Sequence, residues 1–373
     1  MPTEAAAAGA FVVALLTVLA ATPVAIRVAN RLSFYDQPGG YKAHPRATPY
    51  LGGAAVVAGF SLATVLFVGV DRRLFVILAG AFLLLAVGTV DDRRTVRPSV
   101  RLATTGAAAA LLFASGIGWS IFNSEAANVG LSVVWVIGLV NAFNLMDNMD
   151  GAAATVAAVS ATGAAVLAAS NDHGEVAVLA FAVAGACVGF LRYNLTSPAR
   201  IFLGDGGSMP LGFVLAAATM SVPELSDGGV STLIPAALLV GLAIFDTTLV
   251  IVSRSRRRVR IYSGGRDHMT HRLLPLLRSP RAVAAVLALA QASLCALAVT
   301  AVAVGTEAEV VLAVSCASIG AIVLGAFERM SAWPAPARGG ASVGGPAVVS
   351  AVEDVTTHGY QESDHPRTLT PID

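Results

Sequence analysis

Apolar runs of about 18–22 residues recur along the chain, and each gives way to a short polar string. An α-helix rising 1.5 Å per residue needs a run of that length to cross roughly 30 Å of hydrocarbon. The pattern predicts about eleven helices, near 8–28, 50–70, 74–90, 101–118, 129–145, 151–170, 175–193, 207–222, 231–252, 281–304 and 308–327. The connections between them are short, so the expected fold is all-α, one polytopic membrane domain over residues 1–330. From about Ser331 the apolar periodicity stops and Gly, Pro, Ser and Thr dominate, which predicts a disordered cytoplasmic tail over 331–373.

Composition agrees, with 56% hydrophobic and 13% charged residues, and excludes an ordinary soluble globule. The first apolar run carries Glu4 before it, and its arginines, Arg27 and Arg31, come late, so it reads as a retained helix rather than a cleaved leader. Cys187, Cys295 and Cys316 all fall inside apolar segments without metal-like spacing, which favours packing.

Net charge is near zero, but its distribution is informative. With the amino terminus outside, all but Arg72 and Arg73 of the 24 lysines and arginines fall on the cytoplasmic side, as the positive-inside rule requires. The outer loops hold Glu125, Asp172, Glu175, Glu224, Asp227, Glu307 and Glu309 instead. This predicts a multi-pass protein of the cell membrane with its carboxyl terminus in the cytoplasm. The dense polar strings, among them "VDDRRTVRPSVRL", "NAFNLMDNMDG" and "YNLTSPARIFLGDGGS", then share one cytoplasmic face. A transporter or flippase for lipid-linked or nucleotide-linked sugars is the competing reading; it would place ionisable groups near the midplane with a polar path outward, and no such path is legible.

The strings carry chemistry. Asp91 and Asp92 close the third helix, where adjacent carboxylates either bind a cation, share a proton, or form a solvated end neutralised by Arg93 and Arg94. Asn144, Asp147 and Asp150 stand three apart, an oxygen-rich stripe if the helix continues, and oxygen donors without His or Cys suit magnesium; a polar helix cap is the plainer alternative. In "IFLGDGGS", Asp205 sits among glycines whose N–H groups can approach an anion ahead of a helix, a pattern that ordinary turns share. Lys42 is the only lysine, next to His44 in a polar loop, and a compact ammonium suits a phosphate oxygen. His268, His271 and Arg272, beside the run Arg254–Arg260, offer N–H donors for a diphosphate, while much of that run reads as a headgroup anchor. Asp246 is an ionisable group within an apolar segment, functional by default, with pairing to the arginines as the rival. Oxygen ligands, cationic donors and an apolar surround at a membrane face describe phosphoryl transfer between a soluble nucleotide and a lipid.

In order along Asp36 to Leu274, the motifs Asp36…Lys42-Ala-His44…Gly52-Gly53, Asp91-Asp92, Asn141…Asn144…Asp147…Asp150-Gly151, Phe202-Leu-Gly-Asp205…Gly207-Ser208, Asp246 and His268…His271-Arg272 resemble those of the polyprenyl-phosphate N-acetylhexosamine-1-phosphate transferases. The pattern is closer to the undecaprenyl-phosphate GlcNAc-1-phosphate branch, in glycosyltransferase family 4, than to the phospho-N-acetylmuramoyl-pentapeptide transferases. The resemblance implies an eleven-helix enzyme that moves a sugar-1-phosphate from a UDP-sugar to undecaprenyl or decaprenyl phosphate with Mg²⁺ or Mn²⁺, releasing UMP at the first membrane step of an envelope glycan. It implies Asn144 and Asp205 as metal ligands, and Asp91 and Asp92 beside the lipid phosphate with one as a base. Asp147 and Lys42 are implied at the diphosphate, Asp150, Asn194 and Phe202 in the nucleoside pocket, and His268 and His271 at the phosphates or sugar; His44 and Arg272 count among the substrate-binding positions. Partners implied are the UDP-sugar, the lipid and the bilayer, with no nucleic acid, and a homodimer is left open. Three positions depart from the pattern: Asn148 replaces Gly, Ala47 replaces Pro, and Thr270 takes the middle place of a His-x-His-His group.

Overall fold

A computed structural model describes residues 4–36, 47–222, 225, 229–261, 265–304 and 306–330. Lys42, His44 and the 331–373 tail lie outside them. The described chain is all-α apart from a two-residue antiparallel pair, β1 (Tyr35–Asp36) with β2 (Thr48–Pro49).

The helices are α1 (Glu4–Arg31), α2 (Gly52–Val68), α3 (Arg72–Arg93), α4 (Pro98–Ala114), α5 (Glu125–Met146), α6 (Ala152–Ser170) and α7 (Gly174–Asn194). They continue with α8 (Asp205–Met220), α9 (Leu233–Leu239), α10 (Gly241–Arg257), α11 (Met269–Leu277), α12 (Pro280–Val304) and α13 (Thr306–Arg329). Each of the eleven predicted runs falls on a helix, but the spans are not uniform. Among the described residues six, α1, α3, α5, α6, α7 and α12, are long and apolar enough to cross a membrane. The predicted ninth helix is a pair instead: Val230–Leu239 and Gly241–Arg257 meet at 91°, which would count as a seventh span if taken as one. The short helix α11 was not anticipated.

The chain is a polytopic membrane protein, and its outer faces show why its apolar side chains need lipid: Leu16, Phe75, Phe82, Leu289 and Ile322 point outward. At the centre stands α8, with every residue from Gly206 to Met220 buried. Around it pack α3, α5, α2, α6 and α7. Gly88 lets α3 close on the start of α8, because a Cβ there would come within 2.4 Å of the Asp205 carbonyl. Thus the end of α3 and the beginning of α8 meet backbone to backbone, which places Asp91, Asp92 and Asp205 together.

Candidate active site

The site is assembled from helix ends. Consecutive residues on a helix diverge by about 100°, so Asp91 and Asp92 turn to different partners. Asp91 accepts from the Val96 N–H at 2.6 Å and from the Arg101 guanidinium at 2.6 Å, which folds the 94–97 loop back over the end of α3. Asp92 accepts from the Asp205 and Gly206 N–H groups at 2.8 and 3.1 Å. Each carboxylate has its own donors, which offsets their mutual repulsion. The anion cradled by the "GDGG" turn is therefore the protein's own Asp92, not a place left for a substrate phosphate. Gly204 makes the fit sterically feasible, with φ +72° and a Cβ position only 2.5 Å from an Asp92 oxygen.

Asn144, on the last turn of α5, donates to Asp205 at 2.7 Å and to Ser208 at 3.2 Å. Its carbonyl oxygen accepts from Arg101 at 2.8 Å, and Arg101 also lies 3.1 Å from Asp205. One planar guanidinium thus reaches Asp91, Asn144 and Asp205, a task that suits the rigid arginine fork. Arg101 was missed as a site residue. The sequence shows it only as one of several arginines in its string, and its sole signal is a charge three residues after Pro98, in the first turn of an otherwise apolar helix.

The proposed stripe of Asn144, Asp147 and Asp150 does not form as one helix face. The helix stops at Met146, and Asp147 leaves helical geometry at φ −77°, ψ 44°. A turn follows, and α6 starts after Gly151 at φ +80°. Asn194 holds that turn: it accepts from the Gly151 N–H at 2.6 Å and donates to the Ile201 carbonyl at 2.9 Å, so its buried amide is engaged with backbone. Loss of water pushes the Asp147 carboxyl well above the ordinary range, the charges of Asp205, Asp92 and Asp150 add to the rise, and a Gly204 N–H opposes it. Phe202 is tied by its backbone, its N–H to Pro49 at 2.9 Å and its carbonyl to Gly52 at 3.1 Å, with its ring 6.1 Å from that of Tyr50.

The histidine loop is held from beneath. Asp246 meets His268 Nδ1 at 2.8 Å and accepts from the Met269 N–H at 2.7 Å, so the intramembrane carboxylate orients the loop. Arg254 grips both oxygens of Asp267 at 2.7 and 2.8 Å. Burial alone would raise Asp267, but that pairing prevails and holds its carboxyl below the usual range. Arg272 donates to the Asp267 and Phe327 carbonyls, to Ser253 at 2.9 Å and to Glu328 at 3.0 Å, with a fully buried side chain. It ties α11 to α10 and α13, a buried structural network rather than an open binding position. His271 is half-buried, and burial brings its pKa down to about 4, helped by the His268 and Arg266 charges and opposed by Asp246 and Asp267. Thr270, fully buried, donates to Asn148 Oδ1 and so joins this loop to the Asp147–Gly151 turn.

The structure therefore brings Asp91, Asp92, Asn144 and Asp205 into one contact set, with the Asp147–Asp150 turn and the histidine loop linked to it. Among the described residues no three His, Cys, Asp or Glu side chains form a closed metal cage. Asp205 and Asn144 carry oxygens of the kind a hard cation with several waters takes, but here the Arg101 guanidinium holds Asn144 Oδ1 and one Asp205 oxygen and the Asn144 amide N–H holds the other, so a cation bound there would displace the guanidinium.

The family model described as "Glycosyl transferase family 4" matches residues 74–222, which contain the contact set. The "Probable undecaprenyl-phosphate N-acetylglucosaminyl 1-phosphate transferase" of Bacillus subtilis (strain 168) is 33% identical over 276 residues, 71% of this chain and 76% of that protein. The "Decaprenyl-phosphate N-acetylglucosaminephosphotransferase" of Mycobacterium tuberculosis (strain ATCC 25618 / H37Rv) is 31% identical over 309 residues, 72% of this chain and 76% of that one. The "Undecaprenyl-phosphate alpha-N-acetylglucosaminyl 1-phosphate transferase" of Escherichia coli (strain K12) is 26% identical over 265 residues, covering 66% and 71%.

Proposed function

The chain belongs to glycosyl transferase family 4, and from that premise we propose that it transfers N-acetylglucosamine-1-phosphate from UDP-GlcNAc to a polyprenyl phosphate, releasing UMP. The relatives' names supply the sugar phosphate and the lipid acceptor. The observation that carries the reading is the contact set Asp91–Arg101–Asp205–Asn144–Asp92, built on the ends of apolar helices. A polyprenyl phosphate keeps its tail in lipid and its head at the interface, whereas a nucleotide sugar arrives from water, so both meet only at such ends. We place that face in the cytoplasm, with the amino terminus outside, and read the eleven predicted runs as spans, the ninth of them broken at the 91° bend between α9 and α10.

A phosphate oxygen of the lipid attacks the sugar-bearing phosphorus in line, the bond from that phosphorus to the bridging oxygen of UMP breaks, and UMP departs with the electron pair. One diphosphate linkage replaces another, so the step is close to reversible. Mg²⁺ or Mn²⁺, held by Asp205 and Asn144, would offset the charge of two anionic reactants. Arg101 anchors Asp205 and Asn144 in place and brings a cation to the same point. Asp147 stands in the adjoining turn, its carboxyl pushed above the ordinary range by burial and by the charges of Asp205, Asp92 and Asp150. At neutral pH the lipid phosphate is already ionised, which favours direct attack over a phospho-aspartate intermediate.

The test is exchange: purified protein with Mg²⁺ should incorporate labelled UMP into UDP-GlcNAc only when polyprenyl phosphate is present. Absence of exchange with every UDP-sugar tried would overturn the reading. Exchange without lipid would point to the covalent route.

A further inference from the structure

The turn Asp147–Gly151 and the loop Asp267–Arg272 are far apart in sequence, and each carries candidate substrate groups. Asn148 and Thr270 form a polar bridge between them. Asn148 uses both ends of its amide: Nδ2 donates to the Leu145 carbonyl at 2.6 Å, closing the last turn of α5, and Oδ1 accepts from the Thr270 hydroxyl. Thr270 is completely buried, in the first turn of α11 between His268 and His271. A side chain with no exposure cannot contact the sugar or phosphates itself. Its hydroxyl can only transmit position.

We propose that Thr270 and Asn148 are a positioning pair for the transfer reaction, setting where His271 and Asp147 stand relative to each other around the diphosphate. The elements are two independently anchored bodies. The turn is held by Asn194 through Gly151, and the loop by Asp246 and Arg254. Those anchors fix each body to its own helices, and none joins one body to the other. The Thr270–Asn148 hydrogen bond does: a threonine hydroxyl needs an acceptor, and the Asn148 side-chain oxygen supplies it. Burial sharpens the requirement at Thr270, because its hydroxyl, left unpaired, would have no water to replace the lost bond.

The inference rests on the transferase reading, and its test separates the two. Thr270→Val keeps the shape and removes the hydroxyl, Thr270→Ser keeps the hydroxyl, and Asn148→Ala removes the acceptor. In the exchange assay Thr270→Val and Asn148→Ala should each lower kcat/KM for UDP-GlcNAc about tenfold. Because Asn148→Ala also loses the bond to Leu145, the double variant should be no worse than Asn148→Ala alone, and Thr270→Ser should retain near-normal turnover. Backbone hydrogen exchange across 147–151 should rise in Thr270→Val and not in Thr270→Ser. Additive losses, a Thr270→Ser as impaired as Thr270→Val, or unchanged exchange of the turn would overturn the pair. If the unaltered protein catalyses no exchange at all, the functional reading fails, while hydrogen exchange alone still decides whether the bridge holds the turn.

Discussion

The Asp92 carboxylate accepts the backbone N–H of Asp205 at 2.8 Å and that of Gly206 at 3.1 Å, so one carboxylate of the site fixes the backbone beneath another. Helix α8 begins at Asp205 and is buried from Gly206 onward, so its unpaired N–H groups would otherwise have no partner. Asp92→Asn would turn a donor amide toward one of them. We expect a loss of about 1–3 kcal/mol in stability and a fall in turnover beyond what the lost folded fraction explains, measured by thermal unfolding and initial rates side by side. Unchanged stability would show that the cap is dispensable.

Asp205→Asn separates charge from shape. The variant should fold, because Asn144 and the α8 packing survive, yet binding of Mn²⁺ followed by its electron paramagnetic signal should weaken at least about tenfold and transfer should be lost. Normal turnover in this variant would refute a metal role for Asp205.

For Arg101, the fork matters as much as the charge. A lysine ammonium offers its donors from one nitrogen and cannot reproduce the fork whose two terminal nitrogens reach Asp91, Asn144 and Asp205. Arg101→Lys should therefore lose about one to two powers of ten in kcat/KM, and Arg101→Gln more, with the protein still folded. Equal activity in the lysine variant would reduce Arg101 to a point charge.

Much of this was legible in the chain, for physical reasons that also mark the limits. Asp91 and Asp92 stood out because charge at the end of an apolar run is costly and seldom idle, whereas Asp205, in a string that ordinary turns share, was marked by the family resemblance. Their mutual arrangement was not legible, since nothing in a linear string says that the helix N–H groups face a carboxylate of the same protein. Arg101 was hidden among arginines of the same apparent type; only packing of α4 beside α5 turns it inward. The Asn144–Asp150 spacing suggested a helix face, but Asn148 and Gly151 favour a turn, and local chemistry overrode the period. The bend between α9 and α10 likewise follows no Pro or Gly signal stronger than Gly241, so the apolar run read as a single span. Arg272 sat in a motif associated with binding, and its true surroundings depend on α13, whose end no local pattern could bring near.

Arg272 and Glu328 provide a structural contrast to the site residues. Their side chains are buried and 3.0 Å apart. Glu328→Gln would leave the guanidinium inside without its counter-charge, at a cost of about 3–5 kcal/mol. The folded remainder should keep its KM for the UDP-sugar, because the pair lies beneath the histidine loop and not on its open side. A raised KM with intact stability would instead make Arg272 a substrate contact.

His271 supplies a pH dependence with a definite sign. Burial brings it from 6.5 down to about 4, so between those values the unfolded chain holds more protons at this position than the folded one. Stability therefore rises with pH across that window and is lost as pH falls from 6.5 toward 4. Partial exposure screens the effect, leaving on the order of 1 kcal/mol between pH 7 and pH 5. His271→Gln should flatten that part of the profile, read as melting temperature against pH. UDP should flatten it too in the unaltered protein, since a diphosphate beside the ring favours the imidazolium and raises the folded value toward that of the free side chain. A profile that UDP leaves unchanged would place the diphosphate away from His271, and the loop's role would then fall to His268, whose Nδ1 is already committed to Asp246.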